Sequence, residues 1–144
     1  MTAAIRGREA QVFGGLVVPG VRPGFKVSGS DLFEFLRGRL REGANGGAAV
    51  YTVYVRDPGG NYNAVVAHAY PAVGAVPPGE VFVYVPRGPF AVFTPNGEYS
   101  DPVEDVWAQA EIATAAGEIE RAYAEEIEVW HDPGRIELFI SIEL

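Results

Sequence analysis

Arg56-Asp57-Pro58-Gly59-Gly60-Asn61 and, with its Asp 75 residues further on, His131-Asp132-Pro133-Gly134 decide how this chain folds. Each places Asp before Pro before Gly. Asp can bond to the backbone ahead of it, Pro presets φ near about −65°, and Gly accepts a positive φ, so each segment turns the chain. Working outward, both turns sit between extended runs rich in β-branched and aromatic residues. These are about 49–56 and 62–70 around the first turn, and about 125–131 and 136–142 around the second. Two hairpins with the same punctuation, in the same slot of two equal strings of elements, point to an internal duplication.

The elements ahead of each hairpin agree. Residues 11–18 are strand-like, and 19–29 form a turn-rich connection with Pro23 and Gly24. Ser30 or Asp31 then caps a helix whose apolar stripe is Leu32, Phe33, Phe35, Leu36 and Leu40, ended by 43–47. In the second half 89–94 is a strand, Pro95-Asn96-Gly97 turns, and Asp101-Pro102-Val103-Glu104 starts a helix. Asp101 can cap it, Pro102 suits its first position and Glu104 can reach back as a capping box. Val103, Val106, Trp107, Ala110 and Ala113 make its apolar face, and Gly117 stops it.

The expected fold is α+β: tandem duplicated strand–helix–strand–strand units with pseudo-twofold symmetry, within a single domain of residues 1–144. Repeat 1 covers about 9–70 and repeat 2 about 88–144. A Pro-Gly linker and a short strand, Val81–Val85, occupy about 71–87. The first eight residues read as a loose start. A unit this small buries too little surface alone. The two are expected to pack together, their antiparallel sheets forming a central ligand cleft.

Composition removes several function classes. Eleven basic against nineteen acidic side chains give a net charge of −8, the wrong balance for a surface that meets phosphates. The one dense basic run, Arg37, Arg39 and Arg41, spreads over a helix and reads as solvated. With 48% hydrophobic and 12% aromatic residues the chain is not disordered. It has no cysteine, so disulfides and thiolate chemistry are excluded and the expected compartment is cytoplasmic. No signal-peptide run or membrane span is read. There is no P-loop, dinucleotide fingerprint, nucleophile elbow or zinc-binding helix, and no cofactor is expected. His68 and His131 lie in separate halves without cysteine partners, so no metal site is expected. His131 reads as a solvated turn residue, and His68 as lining a pocket or facing water. No helix-turn-helix segment is read. The chain is therefore expected not to contact nucleic acid directly, and to act alone or with a separate regulator or enzyme partner.

The strand 121–130 carries the chemistry. Alternation sets Glu126, Glu128 and Trp130 on one face and Ile127 and Val129 on the other. Carboxylates beside an indole are either a solvated edge strand, where charge discourages aggregation, or one wall of a pocket for cationic, aromatic ligands. Many other aromatic residues are available. Tyr51, Tyr54, Phe93 and Trp107 are the candidates to line such a pocket with Glu128 and Trp130. Tyr51 and Tyr54 point to opposite faces of one strand, so one of them is expected to reach it. Trp107 also fits a helix–sheet packing role.

The run from Pro86 through Gly88, Phe90, Phe93 and Gly97 to Tyr99, then the helix with Trp107, then Arg121-x-Tyr123 and Glu126-Ile127-Glu128-Val129-Trp130, resembles the GyrI-like small-molecule-binding family. Its members are effector-binding domains of AraC-type and multidrug-responsive transcription regulators, and free-standing proteins. The resemblance covers most of residues 9–144 and implies the duplicated fold. It also implies a pocket Glu that contacts cationic or polar ligands, here Glu128. The aromatic two residues on, more often Tyr, is Trp130, and Phe90 likewise stands for a common Tyr. Some free-standing members hydrolyse cyclopropane-bearing genotoxins with a pocket Glu. Three functions are therefore weighed: a binding module for amphipathic, often cationic small molecules; a hydrolase of electrophiles in which Glu128 is the acid–base group; and a protein-interaction or inhibitor module. A pocket filled by side chains would favour the last.

Overall fold

The computed structural model describes residues 3–43, 49–132 and 135–144. The Pro133-Gly134 part of the second turn and 44–47 after the first helix lie outside the described residues. In chain order the elements are β1 (Ala4–Arg8), β2 (Gln11–Val21), α1 (Phe25–Ser28), α2 (Asp31–Arg41), β3 (Val50–Arg56), β4 (Tyr62–Tyr70), β5 (Val81–Val85), β6 (Gly88–Phe93), α3 (Pro102–Ala115), β7 (Arg121–Asp132) and β8 (Arg135–Ile142). A 3-10 turn at Val73–Ala75 lies in the connection to β5.

All eight strands join one antiparallel sheet in the order β1-β6-β8-β7-β3-β4-β2-β5. From the centre outward, β7-β8-β6 mirrors β3-β4-β2, so the duplicated units meet along the β3–β7 pair about a pseudo-twofold axis. The units join in one continuous sheet, because β3 and β7 pair directly from Val50↔Trp130 to Val55↔Glu125. One expectation is corrected: the supposed loose start is β1, which pairs with β6 from Ala4↔Val92 to Arg8↔Gly88. Its counterpart β5 pairs with β2 from Gln11↔Val85 to Gly15↔Val81. Each unit thus begins with a strand that it gives to the other.

The two faces of the sheet bury different sets. Helices α2 and α3 cover one, over Val50, Tyr54, Val66, Trp130, Leu138 and Ile140, with Phe33, Leu40, Val106 and Trp107 facing them. Among the described residues, the buried side chains on the other face come from strands and include Phe13, Val53, Val65, Phe90, Ile127, Val129 and Phe139. On α2 the buried stripe is Phe33, Arg37 and Leu40. Leu32 and Phe35 were expected inside, yet they are 51% and 58% exposed. An i, i+4, i+7 stripe places their Cα–Cβ bonds well to either side of its centre.

The ends of α3 are fastened locally. Asp101 accepts the Val103 N–H at 2.8 Å. Asp105, fully buried, takes the N–H groups of Asn96 and Gly97 at 3.1 and 2.9 Å and the Gln109 amide at 2.8 Å. Burial alone would raise its pKa, but these donors outweigh burial and hold it below the usual carboxyl range. At the other end Gly117, at φ +75°, closes a Schellman turn with Glu118 N–H to Ala113 C=O at 3.0 Å.

Candidate functional site

Glu128 sits in the middle of the central strand pair, opposite Thr52, on the helix-covered face. It is 0% exposed. The strand leading to it is bulged: register slips between Arg121 and Glu126, and Tyr123 adopts φ +56°. A bulky residue rarely takes that conformation. The bulge is anchored by Ser141, whose hydroxyl accepts the N–H groups of Ala124 and Glu125 at 3.3 and 3.2 Å. Tyr62 holds the Tyr123 carbonyl at 3.2 Å. Past the bulge, Glu126, Glu128 and Trp130 all face the helices, and all three are buried.

Both units supply the donors around Glu128. Trp107 of α3 gives its indole N–H to Oε2 at 2.6 Å. Trp130 of β7 gives its own to Oε1 at 3.1 Å, and the Ser28 hydroxyl at the end of α1 donates to the same oxygen. Burial pushes the Glu128 carboxyl up, against the lowering effect of these three donors and of the Arg37 charge. The Arg37 guanidinium lies over the Trp130 ring, 4.0 Å from its centroid, and donates to the Ser28 carbonyl at 3.0 Å. Only 7% of Arg37 is exposed, and burial pulls its guanidinium below the usual value while Glu128 pulls it up. Tyr54 closes the group, packing edge-on to Trp107 with centroids 6.0 Å apart. Its buried hydroxyl has no partner in good hydrogen-bonding geometry; the Ser28 hydroxyl, whose own proton goes to Glu128, is the acceptor nearby. Burial, then the Glu128 charge, drive its pKa far upward.

A surface pocket of about 450 Å³ opens beside this group, between α2 and the start of α3, lined by Glu34, Arg37, Arg41, Asp101, Val103 and Trp130. Glu128 lies one layer deeper and does not line it. A depression of similar size on the outer face of α2, around Asp31, Phe35 and Arg39, shares Glu34 with this pocket but reaches neither Arg37 nor Trp130.

The six candidate residues separate clearly. Glu128, Trp130, Trp107 and Tyr54 come together. Tyr51 belongs to the opposite face, packed on Phe13 at 4.8 Å. Phe93 is in the helix-side core and lines another pocket, of about 400 Å³, with Gln109 and Ile112. Two residues of the site were missed by the sequence reading. Ser28 lay in a connection read only as turns. Arg37 was grouped with two solvated arginines, though its place four residues after Phe33 and three before Leu40 marks it as part of the buried stripe.

Glu126, on the same face, is paired with Arg121, which comes from before the bulge. Burial pushes its carboxyl up, and the charge and hydrogen bond of Arg121 pull it down. The histidines stand apart. His68 is buried with its ring nitrogens 3.3 and 3.0 Å from the carbonyls of Ala49 and Leu40, at the edge of a pocket of about 300 Å³. His131, expected to be a solvated turn residue, lies in β7 with its side chain 38% exposed and meets the Glu137 carboxylate at 2.8 Å across the β7–β8 pair. Among the described residues no group of three His, Asp or Glu side chains is placed to hold a metal, and no helix is long and apolar enough to cross a membrane.

No family model matches the chain, and neither does any curated protein. Solved structures do match. The integron cassette protein VCH_CASS2 from the mobile metagenome of Vibrio cholerae is 17% identical, with a TM-score of 0.69 over 99% of this chain and 96% of that one. The protein SAV2435, solved bound to tetraphenylphosphonium, is 11% identical, with a TM-score of 0.72 over 99% and 94%. The C-terminal domain of EcmrR is 13% identical, with a TM-score of 0.55 over 98% and 96%. These likenesses show that the chain shares one α+β fold, dominated by an antiparallel sheet, with these proteins.

Proposed function

We propose that residues 1–144 act as one effector-binding-like domain that captures amphipathic, cationic aromatic small molecules at Glu128 and Trp130. One observation carries the reading. A fully buried carboxylate is ringed by two indoles at the junction of the two units, with a pocket of about 450 Å³ against one of those indoles. A buried carboxylate is costly to maintain. An organic cation in that pocket would lie against Trp130, with the negative charge of Glu128 one layer beneath it. Support comes also from the shared fold with a protein that holds tetraphenylphosphonium, an aromatic cation. Trp107 serves both the packing and the site, since it orients Glu128 through its N–H.

The test is a fluorescence titration with tetraphenylphosphonium. The chain has two tryptophans, and both donate to Glu128, so indole emission reports on this site alone. Glu128→Gln keeps the size and one acceptor oxygen but removes the charge. Its affinity for tetraphenylphosphonium should fall by about ten- to a hundredfold, the range for a desolvated charge contact, while binding of neutral triphenylphosphine oxide changes little. Equal affinity of both proteins for the cation would remove Glu128 from the site. The interaction-module reading would then lead, since the chain's own side chains fill the space around that carboxylate.

A further inference from the structure

Trp130 already carries a cation. The Arg37 guanidinium covers its ring at 4.0 Å, in the position a ligand's cationic centre would take over the same indole. Arg37 is also the layer between the pocket and the buried carboxylate: Arg37 and Trp130 both line the pocket, and Glu128 does not. The described hydrogen bond of the guanidinium goes to one backbone carbonyl, that of Ser28. In the same pocket two carboxylates stand nearer the surface, Glu34 one helical turn before Arg37 and Asp101 at the start of α3. An arginine side chain is long enough to exchange the first environment for the second without any backbone movement.

We infer that Arg37 is a built-in competitor for the ligand: it holds the cation seat when the site is empty, and an incoming cation takes that seat by turning Arg37 outward toward Glu34 and Asp101. The inference rests on the binding reading above and adds a device that sets its threshold. A weak or poorly shaped cation cannot displace a guanidinium that is already stacked and hydrogen-bonded. A cation with a wide aromatic surface gains enough from the pocket walls to do so. Affinity for cations is thereby lowered in general and selectivity for large aromatic ones is raised.

The variant that tests this is Arg37→Met, which leaves an apolar side chain of similar reach over Trp130. Dissociation constants are measured by calorimetry for tetraphenylphosphonium and for tetraphenylborate, an anion of the same shape. If the inference is right, Arg37→Met binds tetraphenylphosphonium about tenfold more tightly than the natural chain, since no stacked cation has to leave. Tetraphenylborate should bind no better. Glu34→Gln, a change at an exposed position, should weaken tetraphenylphosphonium binding about two- to threefold by removing a landing place for Arg37. Binding by Arg37→Met alone, with none detectable in the natural chain, also supports the inference. It is overturned if the natural chain binds tetraphenylphosphonium, Glu128→Gln loses it, and Arg37→Met binds it no more tightly. Arg37 is then a fixed partner of the site and the binding reading stands. Absence of binding in both the natural chain and Arg37→Met removes the two readings together.

Discussion

Replacing Arg121 with Met would leave Glu126 in the sheet with no counter-charge. Glu126 is 0% exposed, the Arg121 side chain 9%, and the two are directly paired. One oxygen of Glu126, Oε1, already lacks a hydrogen-bond partner. The other Arg121 contacts, at 3.7 Å to the largely exposed Glu111 and 4.8 Å over the Tyr123 ring, contribute little by comparison. Breaking a buried pair from one side costs about 3–5 kcal/mol. We take the low end, about 3 kcal/mol at pH 8, because the pair sits at the bulged end of its strand. The penalty is capped by protonation. Glu126 has a raised pKa in the native fold, and loss of Arg121 raises it further. A carboxyl raised in the folded state contributes most to stability below the ordinary carboxyl range, near about pH 4.3, and that contribution is lost as pH rises through the folded value. Arg121→Met should therefore lose about 1 kcal/mol at pH 5 and about 3 kcal/mol at pH 8. With a urea slope of about 2 kcal/mol per M, the midpoint falls by about 0.5 M and about 1.5 M respectively. Adding Glu126→Gln should restore about 2 kcal/mol at pH 8. An equal loss at both pH values, or a double variant no more stable than the single one, would refute the argument that a stranded charge sets the cost.

Two further outcomes are expected. Asp101→Ala should lower stability by about 1 kcal/mol, read as a smaller urea midpoint at unchanged slope, since the Val103 N–H loses its cap. Gly15→Ala should be much worse, about 3 kcal/mol or more, because a Cβ there would lie 1.9 Å from the Val66 carbonyl oxygen in the neighbouring strand; a thermal midpoint within a few degrees of the natural chain would show that β2 and β4 can separate at little cost.

Local signals are what the sequence reported well. Turn chemistry at Asp57, capping at Asp101 and alternation through Glu126, Glu128 and Trp130 each depend on a few neighbouring residues, and each appears in the structure. The duplication was legible for the same reason, as a repeated order of local signals. β1 was not, because Ala4-Ile5-Arg6-Gly7-Arg8 has little β-propensity of its own and becomes a strand only by pairing with β6. Within the candidate site, alternation put Glu128 and Trp130 on one face but left a solvated edge and a pocket wall both open, and it gave no sign of what would stand over them. Ser28 reaches Glu128 across 100 residues of chain, and Arg37 reaches Trp130 across 93. Choosing between Tyr51 and Tyr54 required knowing which face of β3 the helices cover.

The exchange of β1 and β5 between the two units bears on how such a chain holds together and how it comes off the ribosome. A lone ββαββ unit would offer its first strand to an edge that it lacks, and two such units satisfy each other by trading strands. Carrying both in one chain makes the trade independent of concentration. It also fixes an order of events during synthesis. β2 is finished at Val21, yet the strand that covers its edge begins at Val81. Throughout that interval the nascent N-terminal unit carries an uncovered edge, which only the start of its twin can close.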